Sequence, residues 1–216
     1  MNTDRLIDLL SADLEHVGRV RLGKTLLLAM LTGGAVALIS MLATVGPRAE
    51  LDSTTHIGWI TVKVLFAVSV IGTATPPLLR SMRPGLEKET HLGIIVLPFL
   101  AVIAAALAML LFVTPETSRE MLRGATSASP ARCLLCIMFF AVVPFAALVW
   151  VLRQGAPTRL SLSGAIAGVV AGGLGAFAYA FHCASDTVPF IAVFYTAAIA
   201  LCACVGAQLG PLLLRW

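Results

Sequence analysis

The sequence predicts an all-α integral membrane bundle of six transmembrane helices, preceded by a short N-terminal cytoplasmic amphipathic helix. Three observations carry this. Of the 216 residues, 59% are hydrophobic and only 12% are charged, against roughly 45–50% and 25% in soluble domains. The mean hydropathy is +0.96, so there is too little polar surface to cover a water-soluble core. The apolar residues fall into six blocks, at approximately 25–46, 57–79, 92–114, 133–152, 162–182 and 189–211, each close to the ~20 residues of helix that a hydrocarbon core requires.

Short punctuated segments separate the blocks: Pro47, Arg83-Pro84-Gly85, Pro115, Gly155-Ala156-Pro157, and Asp186 with Pro189. Backbone groups in lipid must be satisfied within the segment, so the spans are expected to be helices, with Pro76-Pro77, Pro98 and Pro144 marking ends or kinks. The chain divides into a cytoplasmic segment, 1–24, and a six-helix transmembrane domain, 25–216. Asp4, Asp8, Asp13 and Glu15 stand where the basic region of a signal peptide would be, so the start is expected to be retained.

Orientation follows from basic residues. With the N-terminus inside, the inner segments hold about ten Lys and Arg (among them Arg19, Arg21, Lys24, Arg80, Arg83 and Arg153) and the outer loops about four: Arg48, Arg119, Arg123 and Arg132. That asymmetry predicts both termini on the cytoplasmic side. Lys63 lies below the outer end of span two, where its stem could snorkel to the interface. No acid within the spans is available to pair with it, and a structural role is expected over a transport role.

In residues 3–20, Leu6, Leu9, Leu10, Leu14 and Val17 recur at spacings of three and four behind the candidate caps Thr3 and Asp4. Such a helix suits either the headgroup surface, helped by the basic run Arg19 to Lys24, or the groove of a soluble partner. Gly164, Gly168, Gly172 and Gly175 in the fifth span, and Gly206 and Gly210 in the sixth, are small residues at helical spacing. They predict close backbone approach within the bundle.

Enzyme signatures are scarce: there is no phosphate-binding lysine loop, dinucleotide fingerprint, His-Glu-x-x-His or nucleophile elbow. No cofactor and no metal site is expected, nor any direct contact with nucleic acid. Cysteines are the remaining reactive inventory. Cys133 at the outer mouth of span four and Cys183 at that of span five, just after His182, converge on one depth. A disulfide, a reactive thiol pair and a soft-metal site helped by His182 are all chemically allowed in an oxidising compartment. Cys136, Cys202 and Cys204 are expected to be small apolar fillers.

The chain resembles the NrsF-type bacterial anti-sigma factors, six-span inner-membrane proteins. The matching residues are Met1 to Ile7, Leu79-Arg80 with Arg83-Pro84-Gly85, Arg132-Cys133-Leu134, Ala156-Pro157, His182-Cys183 and the ending Leu214-Arg215-Trp216. The resemblance implies a protein of the bacterial inner membrane that sequesters an extracytoplasmic-function sigma factor at its cytoplasmic face and releases it under stress. Cys133 and Cys183, with His182 beside them, would then be the sensing residues. Leu6, Leu9, Leu10, Leu14 and the Arg83, Pro84, Gly85 turn are the candidate partner contacts. The rival readings are a small transporter subunit, which needs a polar path through the bundle, and a membrane thiol oxidoreductase using Cys133, Cys136 and Cys183.

Overall fold

A computed structural model of the chain describes residues 22–47, 54–82, 92–114, 116–117 and 130–215. The predicted helix 3–20, with Leu6, Leu9, Leu10 and Leu14, and the turn Arg83, Pro84, Gly85 lie outside the described residues. Among the described residues there are six long helices and no strand: α1 (Leu22–Thr44), α2 (Thr54–Ser81), α3 (Gly93–Leu111), α4 (Pro130–Gln154), α5 (Leu160–Ala180) and α6 (Val188–Leu213). Each is long and apolar enough to cross a bilayer, the architecture of a multi-pass membrane protein.

The outward faces are apolar. Leu27, Leu31, Ile39, Leu97, Phe139 and Trp150 are each more than half exposed, a surface that water would penalise and lipid does not. Several hydroxyls along the spans are satisfied by their own helix. Thr61 donates to the Ile57 carbonyl at 2.8 Å, Thr73 to Ser69 at 2.9 Å and Thr75 to Ile71 at 2.6 Å. Hydroxyls so engaged do not build the continuous polar path that a transporter requires.

α5 is the central helix, packed against α6, α4, α2 and α1, whereas α3 stands at the edge beside α2 and the start of α6. The glycines explain the centre. A Cβ at Gly164 would run into the Gly206 carbonyl, and one at Gly168 into the Cys202 carbonyl, well inside contact distance. With hydrogens there instead, the two backbones touch, and dispersion replaces the hydrophobic drive that lipid cannot supply. On another face of α5, a Cβ at Gly175 would stand 2.5 Å from the Ile137 carbonyl of α4.

Pro76, Pro77, Pro98 and Pro144 all sit inside helices and end none of them. The Cα of Pro144 lies against Gly33 of α1, 2.9 Å from where a Cβ would be, so one such proline is accommodated by the absence of a facing side chain. α6 is irregular at its start: a short turn led by Pro189, then a π-helical turn, Ile191–Tyr195, before regular helix from Thr196. At one end of the bundle the Ala156 N–H donates to the Met82 carbonyl at 3.2 Å, and Arg153 Nε donates to the Leu213 carbonyl at 2.6 Å. These bonds tie the ends of α2, α4 and α6 together.

Candidate functional site

The opposite end of the bundle gathers the chemistry. α1 closes on Gly46, whose φ of +76° is the left-handed geometry that glycine adopts without penalty after a helix. Its N–H returns to the Met41 carbonyl at 3.0 Å, and its own carbonyl accepts a bond from His182 Nδ1 at 2.9 Å. α5 ends at Ala180, two residues before the apolar block does, where the N–H groups of His182 and Cys183 both fold back to the Tyr179 carbonyl at 3.0 Å. His182 is thereby turned toward the end of α1, with its ring tilted against Tyr179 at 5.7 Å between centroids.

Cys183, placed by that turn, meets Cys133 from the first turn of α4. Both are free thiols, each 1% exposed, and they stand within hydrogen-bonding reach of one another. The two cysteines singled out by depth alone are therefore direct neighbours. The hydrogen bond offered by Cys133 lowers the Cys183 thiol below the ordinary thiol range. Lys63 acts in the same direction, and burial opposes them both.

Lys63 is the residue whose role the sequence concealed. It is fully buried; its Nζ donates to the Cys183 carbonyl at 2.8 Å and to Asp186 Oδ1 at 3.0 Å. The expectation of a snorkelling lysine without an acid is thus corrected: the acid comes from the α5–α6 loop, which dips into the bundle far enough to leave Asp186 only 16% exposed. A buried ammonium persists only with such compensation. The available signal was that Lys63 is the one basic residue placed within a span, and an intramembrane charge implies a partner.

Two tyrosines line the thiols from behind, Tyr179 on α5 and Tyr195 on the π-helical turn, with ring centroids 6.5 Å apart. Tyr195 is fully buried, and the hydroxyls of Tyr195 and Ser185 form no hydrogen bond of standard geometry. Cys136 lies one turn further along α4, half-buried; Cys202 is half-buried and Cys204 exposed, both in α6. Among the described residues no group of three or more His, Cys, Asp and Glu is close enough to hold a metal ion. What the geometry offers is a dithiol: one sulfur from the first turn of α4 and one from the loop after α5, the latter on a residue bonded to a buried cation.

Comparison with known proteins agrees with the resemblance. Over its whole length the chain is 32% identical to the probable anti-sigma-F factor NrsF of Azospira oryzae, all of which is covered. It is 29% identical, again with both chains fully covered, to the anti-sigma-F factor NrsF of Caulobacter vibrioides. No solved structure matches. The profile described as "NrsF: Negative regulator of sigma F" matches residues 10–216, and the chain therefore belongs to the NrsF family.

Proposed function

We propose that this protein is an anti-sigma factor of the bacterial inner membrane that holds an extracytoplasmic-function sigma factor at its cytoplasmic face and releases it when Cys133 and Cys183 change state. The observation that carries the reading is the meeting of those two thiols, 50 positions apart in the chain, at one end of a bundle whose relatives bear regulatory names. Regulation, not catalysis, is the role those names support. The basic-residue asymmetry puts the thiols on the periplasmic side and both termini inside. The bilayer holds the regulator, and the protein has no contact of its own with DNA.

On this reading the sigma factor docks on Leu6, Leu9, Leu10 and Leu14 of the N-terminal helix, together with the Arg83, Pro84, Gly85 turn. Lys63 links the two ends: α2 runs from the thiols to Ser81, two residues before that turn. A change at Cys183 that displaces its carbonyl pulls on Lys63 and so on α2. The free-energy difference between the two packings need be only about 1–3 kcal/mol to act as a switch. The test is a Cys133→Ser/Cys183→Ser variant in cells carrying a reporter for the sigma factor, challenged with thiol stress. The reading expects the reporter to stay silent; induction equal to wild type would remove the thiols from the mechanism.

A further inference from the structure

The surroundings of the two sulfurs differ sharply. Lys63 is bonded to the carbonyl of Cys183 itself, at 2.8 Å, and so brings a buried positive charge to that residue. The Ser185 N–H and the Tyr195 hydroxyl both face the Cys183 sulfur. Tyr195 is fully buried and Ser185 is also 0% exposed, yet neither hydroxyl has a formed hydrogen bond. Unpartnered buried donors are uncommon. The Tyr195 hydroxyl and the Ser185 N–H, both turned toward the Cys183 sulfur, suit an atom that becomes negatively charged. Cys133 in contrast offers its S–H to Cys183 and sits among Ile137, Phe140 and Tyr179.

We propose that the pair is asymmetric: Cys183 is the nucleophile that takes oxygen from a small hydroperoxide, Cys133 is the thiol that resolves it, and Lys63 is the positioning residue that selects Cys183. This deepens the thiol-sensing reading and rests on it. The Cys183 thiolate attacks one peroxide oxygen; the O–O bond breaks, an S–O bond forms, and the leaving oxide takes the thiol proton to depart as water or an alcohol. Cys183 is then a sulfenic acid. The Cys133 sulfur attacks it, an S–S bond replaces the S–O bond, and hydroxide leaves with the Cys133 proton as water. Two thiols give up two electrons, and the peroxide accepts them. Burial selects the oxidant. With each cysteine 1% exposed, a small hydroperoxide reaches the pair more readily than a bulky protein disulfide does.

The experiment uses the full-length protein in lipid nanodiscs, treated with substoichiometric hydrogen peroxide in the presence of dimedone, with the modified residue identified by mass spectrometry. Cys133→Ser should accumulate the adduct on Cys183, and Cys183→Ser should carry less than about a tenth of that on Cys133. Equal labelling of the two, preference for Cys133, or labelling of neither overturns the assignment. Lys63→Met should slow Cys183 labelling at pH 7, by about tenfold for each unit that the thiolate midpoint comes to lie above that pH, and wild-type rates should return at higher pH. Where Lys63→Met does not insert stably, Lys63→Met/Asp186→Asn keeps the site neutral and gives the same readout. A rate and pH profile unchanged in these variants would remove Lys63 from the chemistry. These readouts are chemical and independent of the sigma factor, so a failure here is distinguishable from a failure of the reporter test.

Discussion

Replacing Asp186 by asparagine separates the charge of the Lys63–Asp186 pair from its shape. Lys63 is 0% exposed and Asp186 16%, so the two halves of the pair should not cost the same. Without the carboxylate, the ammonium keeps its bond to the Cys183 carbonyl at 2.8 Å but loses its counter-charge in a site closed to water. Breaking a buried pair from that side costs about 3–5 kcal/mol. In Lys63→Met the carboxylate is left, but it already touches solvent and can turn further outward. The cost there is closer to the 1–3 kcal/mol of an orphaned polar group, namely the Cys183 carbonyl. The double variant Lys63→Met/Asp186→Asn has no charge to bury and should recover part of the loss, giving a coupling energy of about 2–3 kcal/mol. The assay is reversible unfolding by titrated detergent in mixed micelles, run on all four proteins. Additivity within about 0.5 kcal/mol, or an Asp186→Asn variant as stable as wild type, would refute the pairing argument.

Three further outcomes are expected. Gly168→Ala places a methyl group against the Cys202 carbonyl and should destabilise the bundle by about 1–3 kcal/mol, while Gly72→Ala, where a Cβ would meet nothing within 4 Å, should be tolerated; the same detergent titration compares them. Because its pKa is lowered, Cys183 stays thiolate as pH falls through the ordinary thiol value of about 8.5. Its alkylation by iodoacetamide, followed by mass spectrometry, should therefore hold its rate down through that pH and decline only under more acid conditions. Leu10→Asp, on the proposed docking role, should weaken capture of the sigma factor in pull-downs by about 2 kcal/mol, some thirtyfold in Kd, without changing insertion into the membrane.

What could be read in advance follows physical lines. Span number and position are legible because lipid imposes a length and an apolar composition on every crossing, and the observed bounds depart from the apolar blocks by only a few residues. The glycine contacts are legible for a related reason: small residues at helical spacing in an apolar span have one common use, and Gly164 and Gly168 meet Gly206 and Cys202. Cys133 and Cys183 could be placed at one depth by counting from the span ends. Their direct contact was not legible, since it depends on which helices are neighbours. The Lys63–Asp186 bond spans 123 positions and needs a loop that folds inward, something no local pattern encodes. Nor do residues 188–195 announce an irregular turn, for their composition suits a regular helix equally well.

That turn has a consequence for how the chain tolerates length changes. A π-helical segment holds one residue more than the α-helical turn it replaces, so Ile191–Tyr195 is a store of slack in α6. Deleting one residue there lets the stretch close into ordinary helix while Gly206 and Gly210 keep facing α5, although Tyr195 swings off the thiols. The same deletion below Thr196 would rotate everything after it by about 100° and drive bulky side chains into the α5 backbone. Length variation among functional versions of this chain should accordingly concentrate at the head of α6 and vanish from its glycine face.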